Sequence, residues 1–225
     1  LHRTIGRPFV TYNAGMSIDG RTAAADGSSQ WITSAGARLD AHRLRAQSDA
    51  VCAGVGTVLA DDPKLTVRGV RSSKTPLRVV VDSAARVPVG AQVLSADAPT
   101  VVFTATGDSE PAVAALKEAG VDVVCVPGER RTVDLNEMLR ILGDRGVVSL
   151  LLEGGATLAG AFAGGGLIDR YVFYLAPKLL GASGAGALSG WVADSITDAA
   201  DLVISEVKRI GPDLRITAYP YREAS

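Results

Sequence analysis

The sequence predicts an α/β protein: a mostly parallel central sheet with helices on both faces and an antiparallel hairpin at its C-terminal end. Short Val- and Leu-rich runs recur along the 225 residues with amphipathic stretches between them. Most of these runs lack polar alternation, as strands covered on both faces do. The last two runs are separated only by Gly211, Pro212 and Asp213, which is too short for a parallel crossover and suits a hairpin.

In chain order, strands are expected at 9–16, 49–55, 77–82, 100–104, 121–126, 147–152 and 171–176, followed by the hairpin strands at 202–210 and 214–221. Helices are expected at 34–47, 57–60, 111–119, 135–142 and 157–162, with Gly120 and Gly143 as stops, because glycine adopts the left-handed conformation that ends a helix. The chain shows no repeat and no linker, so one domain is expected, with 181–186 as a mobile surface loop.

Hydrophobic residues make up 47 % and charged residues 21 %, and the net charge is −1. That balance describes a globular protein without a polyanion-binding surface, which argues against nucleic acid as a partner. No apolar run approaches the roughly 18 residues that span a bilayer, and the basic start of the chain lacks the apolar core of a signal peptide. A cytoplasmic protein without membrane contact is therefore expected. Cys52 and Cys125 lie in apolar runs without Cys-x-x-Cys spacing, and only His2 and His42 accompany them. Both thiols are expected to be buried, and no metal site is expected.

The run most suggestive of chemistry is Glu153-Gly154-Gly155-Ala156-Thr157-Leu158, which follows an apolar strand and opens a helix. A glycine pair leaves backbone N–H groups unshielded, and the helix N-terminus adds partial positive charge, so this geometry can cradle phosphate. Strand-to-helix turns through Gly-Gly also occur for packing alone. A long polar excursion, 15–31, leaves the first strand and is either functional or a plain surface excursion. The stretch 54–68 begins as a glycine turn, but Leu59 replaces the third glycine of a dinucleotide fingerprint, so a Rossmann site is not expected. Its Asp61-Asp62-Pro63 is either a solvated turn or part of a site. On the helix at 34–47, Arg38, His42 and Arg45 share one face. That face is either solvated or, together with Arg68, a clamp for a phosphomonoester, because guanidinium groups offer paired donors to phosphate oxygens.

Seven segments stand in an order that resembles a known family. They are Asn13 to Arg21, Ser29 to Ser34, His42 to Ala46, Gly56 to Pro63, Val80 to Ser83, Leu152 to Gly155 and Ala176 to Gly181. Together they resemble the reductase domain of the bacterial bifunctional riboflavin-biosynthesis deaminase–reductase. The resemblance implies a dihydrofolate-reductase-like fold, NADPH as cofactor, a homodimer, and reduction of the ribose of a phosphoribosylaminopyrimidine to a ribityl chain. It further implies that Ser29, Arg45, Leu65 and Arg68 bind the sugar phosphate or the pyrimidine, with Glu153 facing the substrate. Gly15, Trp31, Thr57, Asp61, Ser83 and the run from Gly155 to Ala161 would line the cofactor. The zinc-deaminase signature of the bifunctional proteins is absent from these residues, and 1–7 resemble the end of a linker. Asn13 stands where the bifunctional enzymes usually carry Lys and the archaeal single-domain reductases carry Asn.

A cyclic N-glycoside accepts hydride only after its ring opens, which requires a proton on the ring oxygen. Glu153 is the first choice for that acid and Asp61 the second. Ser83 and Arg86, after the strand at 77–82, are candidates for the adenosine 2′-phosphate of NADPH. Asn13, two residues before Gly15 and on the same strand face, is a candidate contact to the substrate ring, where it would bear on the choice between deaminated and undeaminated pyrimidine. A folate reductase and a silent nucleotide-binding module are the competing functions. The 5 % aromatic content and the two arginines favour a polar, phosphorylated substrate.

Overall fold

The computed structural model describes residues 6–105, 107 and 110–221. Of the segment resembling a linker end, residues 1–5 lie outside the described residues. The elements run β1 (Phe9–Ser17), β2 (Arg21–Ala23), α1 (Ala35–Gln47), β3 (Ala50–Gly54), α2 (Val55–Asp61), β4 (Leu77–Val81), β5 (Thr100–Thr104) and α3 (Pro111–Glu118). They continue with β6 (Asp122–Cys125), α4 (Leu135–Asp144), β7 (Ser149–Glu153), α5 (Ala156–Gly164), β8 (Arg170–Ala176), β9 (Ala185–Gly186), β10 (Leu202–Ile210) and β11 (Asp213–Pro220). Every expected strand and helix is present, with ends displaced by a few residues at most. The chain falls into two compact units, Leu1–Phe9 with Arg43–Leu151 and Val10–His42 with Leu152–Ser225.

In the first unit β3, β4, β5 and β6 are parallel neighbours in that order. Their apolar runs do not alternate because both faces are covered, and Val51, Cys52, Val79, Val80, Val101 and Phe103 are fully buried. Burial also pushes the Cys52 thiol up to about 12. Cys125 departs from expectation and is exposed, since β6 ends the row and is only partly covered. Arg78, buried within β4, donates to the carbonyls of Gln92, Ser95 and Ala98 and so closes the segment before β5. Helix α4 starts on the Asp134 carboxylate, which accepts from the N–H groups of Asn136 and Glu137. It ends later than expected. Gly143 is buried inside the helix, and the left-handed residue past its end is Gly146 at φ 82°.

In the second unit β1 and β8 are parallel and β8 and β11 antiparallel, and β10 folds back on β11 as the expected edge hairpin. The small antiparallel pair of β2 and β9 is not expected from the sequence, and it places 185–186 in a strand pairing. Helix α5 packs where Gly160 lets the chain pass, because a Cβ there would stand 1.9 Å from the carbonyl oxygen of Ser189. Gly160→Ala therefore forces backbone apart. The expected cost is about 1 to 3 kcal/mol, as for other overpacked sites, measured as a lowered urea midpoint at unchanged m-value.

Candidate active site

In the second unit β1 brings Asn13 and Gly15 towards its C-terminal end. Asn13 is buried, and its Oδ1 finds no hydrogen-bond donor, an arrangement that normally costs stability and marks a group facing something else. Gly15 lies close against Thr33, where an added Cβ would stand 3.0 Å from its Cγ2 and push that side chain aside. Past the strand, Asp19 accepts from Ser17 Oγ at 2.5 Å and from the backbone N–H of Gly181 at 2.7 Å and of Leu180 at 3.2 Å. These bonds, the Ser17 hydroxyl first, hold its carboxyl at about 2. Together with the β2–β9 pairing they fasten the excursion after β1 to the segment after β8.

Within that excursion Ser29 is half-buried and Trp31 exposed. The Arg38 guanidinium lies 4.2 Å from the Trp31 ring centroid and donates to the Thr33 carbonyl at 2.6 Å. Helix α1 is set by Ser34, whose Oγ accepts from Ala37 N–H, while Ser34 N–H donates to the Asp213 carboxylate at 2.8 Å. Glu153, the last residue of β7, is buried. Gly154 and Gly155 follow at φ 68° and 69°, and α5 begins at Ala156. Of the cradle residues, Thr157 is exposed and Ala156 and Leu158 are half-buried.

In the first unit Thr57 and Asp61 lie four residues apart on α2, half-buried and exposed respectively. The neighbouring Asp62 closes the helix at φ 40°, with its carboxylate and carbonyl held by Gln92, so of the two acids Asp61 is the one not committed to the turn. Leu65 is buried with φ 51°; its side chain serves packing, and a ligand contact there would come from its backbone. Arg45 Nη1 donates to the Thr66 carbonyl at 2.9 Å and fixes the stretch leading to the exposed Arg68. Arg38, His42 and Arg45 are half-buried rather than fully solvated. After β4, the Ser83 hydroxyl accepts from Val133 N–H at 3.2 Å. Arg86 is exposed, with Nε 3.9 Å from the buried Asp82 carboxylate.

The sequence profile of the RibD C-terminal domain matches residues 8–215. The chain belongs to the RibD C-terminal domain family. The riboflavin biosynthesis protein RibD of Bacillus amyloliquefaciens is 40 % identical over 217 residues, covering 96 % of this chain and 58 % of that protein. The chain thus spans little more than half of that relative. The 2,5-diamino-6-ribosylamino-4(3H)-pyrimidinone 5′-phosphate reductase of Methanothermobacter thermautotrophicus is 40 % identical over 211 residues, 92 % of this chain and 96 % of its own. Among solved structures, Acinetobacter baumannii RibD aligns with a TM-score of 0.86 at 31 % identity, over 98 % of this chain and 60 % of that one.

One buried group of the second unit is not foreseen from the sequence. Asp40 accepts from the Tyr174 hydroxyl and from Arg215, each at 2.9 Å, and Arg215 also pairs with Glu206. Burial first, then the Asp40 bond, with a smaller contribution from the Glu153 charge, pushes the Tyr174 phenol up. A signal existed, since Ala37, Asp40 and Leu44 follow helical spacing and all three are buried. Among the described residues no cluster of three or more His, Cys, Asp or Glu can hold a metal, and no helix is long and apolar enough to cross a membrane.

The Asp19 clamp has a definite pH signature. Its folded pKa of about 2 lies below the ordinary aspartate value of 3.8, so its contribution is present above the unfolded value and is lost as pH falls through the folded one. The Asp19 carboxyl carbon should titrate near pH 2 by NMR, and a midpoint near 4 would show the clamp open in solution.

Proposed function

We propose that this chain catalyses NADPH-dependent reduction of the ribose of 5-amino-6-(5-phosphoribosylamino)uracil to its ribitylamino product, a step of riboflavin biosynthesis. The observation that carries this reading is the buried Glu153 at the end of β7, followed at once by two left-handed glycines and the start of α5. An acid and an anion cradle on consecutive residues suit an enzyme that must protonate a sugar beside a bound dinucleotide. The cradle, the orphan Asn13 Oδ1 and the close-packed Gly15 also fit such a cofactor. A second substrate, the undeaminated pyrimidinone, is favoured by Asn13, whose amide both donates and accepts, and by the near full-length match to the archaeal reductase named for that compound.

NADPH, when bound, would supply the two electrons of the reduction as hydride for C1′ of the opened sugar. Glu153 supplies the proton that opens the ring, converting the N-glycoside to a protonated imine that becomes the neutral amine on taking up hydride, with Asp61 as the alternative acid or a contact to the cofactor ribose. Arg68 offers its guanidinium to the substrate phosphate. Arg45 orients the stretch that carries Arg68 and adds its positive charge to the phosphate subsite, and Ser29 and the Leu65 backbone complete the substrate contacts. Gly15, Trp31, Thr57 and 154–158 line the cofactor. Arg86 and the Ser83 hydroxyl hold its 2′-phosphate. Ser83 accepts from Val133 N–H, which fixes its hydroxyl oxygen beside the end of β4.

The protein is further assigned as a cytoplasmic homodimer. Eight of the nine residues of β10 are exposed, with Val203, Ile204 and Val207 between 51 % and 60 %. An apolar edge strand open on both faces suits pairing with a second copy.

Oxidation of NADPH should follow addition of either pyrimidine phosphate and not of dihydrofolate, with NADH the poorer reductant. Glu153→Gln should slow turnover by roughly 10² to 10⁴ at unchanged NADPH affinity; normal turnover in this variant removes Glu153 from the acid role. Sedimentation should give a dimer that Ile204→Lys with Val207→Lys converts to monomer, whereas a monomeric wild type overturns the assembly.

A further inference from the structure

Trp31 is 60 % exposed, although a tryptophan ordinarily contributes most by burying its large apolar surface. Two cations nevertheless attend it. Arg38 lies over the ring at 4.2 Å from the centroid, and its Nη1 is tied to the Thr33 carbonyl at 2.6 Å. Lys178 Nζ donates to the carbonyl of Trp31 itself at 2.6 Å. Among the described residues neither cation forms an ion pair, so both charges are spent on fixing this one residue. A guanidinium over an indole is attracted only from the face of the ring, which sets the ring plane, while the Lys178 bond sets the peptide that carries it. The next segment is fixed as well, because Thr33 packs against Gly15. With one face covered by Arg38, the remaining exposure belongs to the rest of the ring.

We propose that Arg38 is a positioning residue: it holds Trp31 as a preset platform on whose uncovered face a neutral planar ring of a nucleotide ligand stacks. Restricting the side chain in advance lowers the entropy lost on binding. A positive charge fixed behind the indole repels a cationic ring and tolerates a neutral one, so reduced nicotinamide is favoured over oxidised. This inference rests on the assignment of Trp31 to the cofactor site.

The test uses a Trp191→Phe background, which leaves Trp31 as the single tryptophan of this sequence. Its emission is titrated with NADPH, NADP⁺, reduced nicotinamide mononucleotide and 2′-phospho-ADP-ribose. NADPH should quench Trp31, and whichever half-molecule does the same identifies the stacked ring. Arg38→Leu should weaken NADPH binding about three- to tenfold, with kcat at saturating cofactor within about twofold of wild type. Arg38→Lys, which keeps the charge, should recover most of the loss, and melting curves check that both variants fold. Arg38→Leu binding NADPH as tightly as wild type while Trp31→Ala weakens it would overturn the role of Arg38 alone. Unchanged binding in Trp31→Ala would overturn the platform altogether, with the reductase function still judged by pyrimidine turnover.

Discussion

The arrangement of the second unit depends on one buried carboxylate. Asp40 is withdrawn from water and accepts from both Tyr174 and Arg215. A charge so placed is tolerable only with its partners present, and breaking such a pair from one side typically costs about 3 to 5 kcal/mol. The three residues come from α1, β8 and β11, and Arg215 and Tyr174 are direct partners in the β8–β11 register. A slip of one residue would turn Arg215 to the opposite face. The carboxylate thus selects one register of the hairpin and one seat for the helix. Whatever hangs on α1, including the Ser34 cap on Asp213 and the guanidinium over Trp31, inherits that choice.

Close backbone approach is the second organising constraint. Gly15 admits Thr33, Gly160 admits the carbonyl of Ser189, and Gly184 admits the carbonyl of Ala23, where a Cβ would stand 2.5 Å away. At each position the missing side chain is what lets two segments touch, so loops that look featureless in sequence are tied to the elements beside them. The first unit achieves the same end with a charge, as Arg78 gathers three carbonyls from the segment leading to β5.

Strands and helices were legible because their signals are local: unbroken Val and Leu runs, a Gly-Pro turn, and helix stops such as Gly120 at φ 79°. The acid and glycines at 153–155 were legible for the same reason, since strand end, turn and helix start are contiguous. Position 143 misled because a buried glycine inside a helix and a glycine ending one look alike without knowledge of which face is covered. Cys125 misled because an edge strand and a central strand share a composition, and only the neighbours differ. The Asp40 group was hidden because its partners stand 134 and 175 residues away, and no local pattern reports a contact of that range. The division of labour between Asp61 and Asp62 likewise depends on Gln92, which nothing in the adjacent pair announces.

The turn at Gly154 and Gly155 is built from main chain in a conformation that side chains rarely adopt. A grip made of peptide N–H groups carries no titratable atom and offers no thiol or thioether to oxidants. If it holds a phosphate as proposed, its strength would follow the ionisation of that anion and not the state of the protein. Selectivity for a ligand held there would then lie in the side chains around the turn, while the turn itself stays chemically mute.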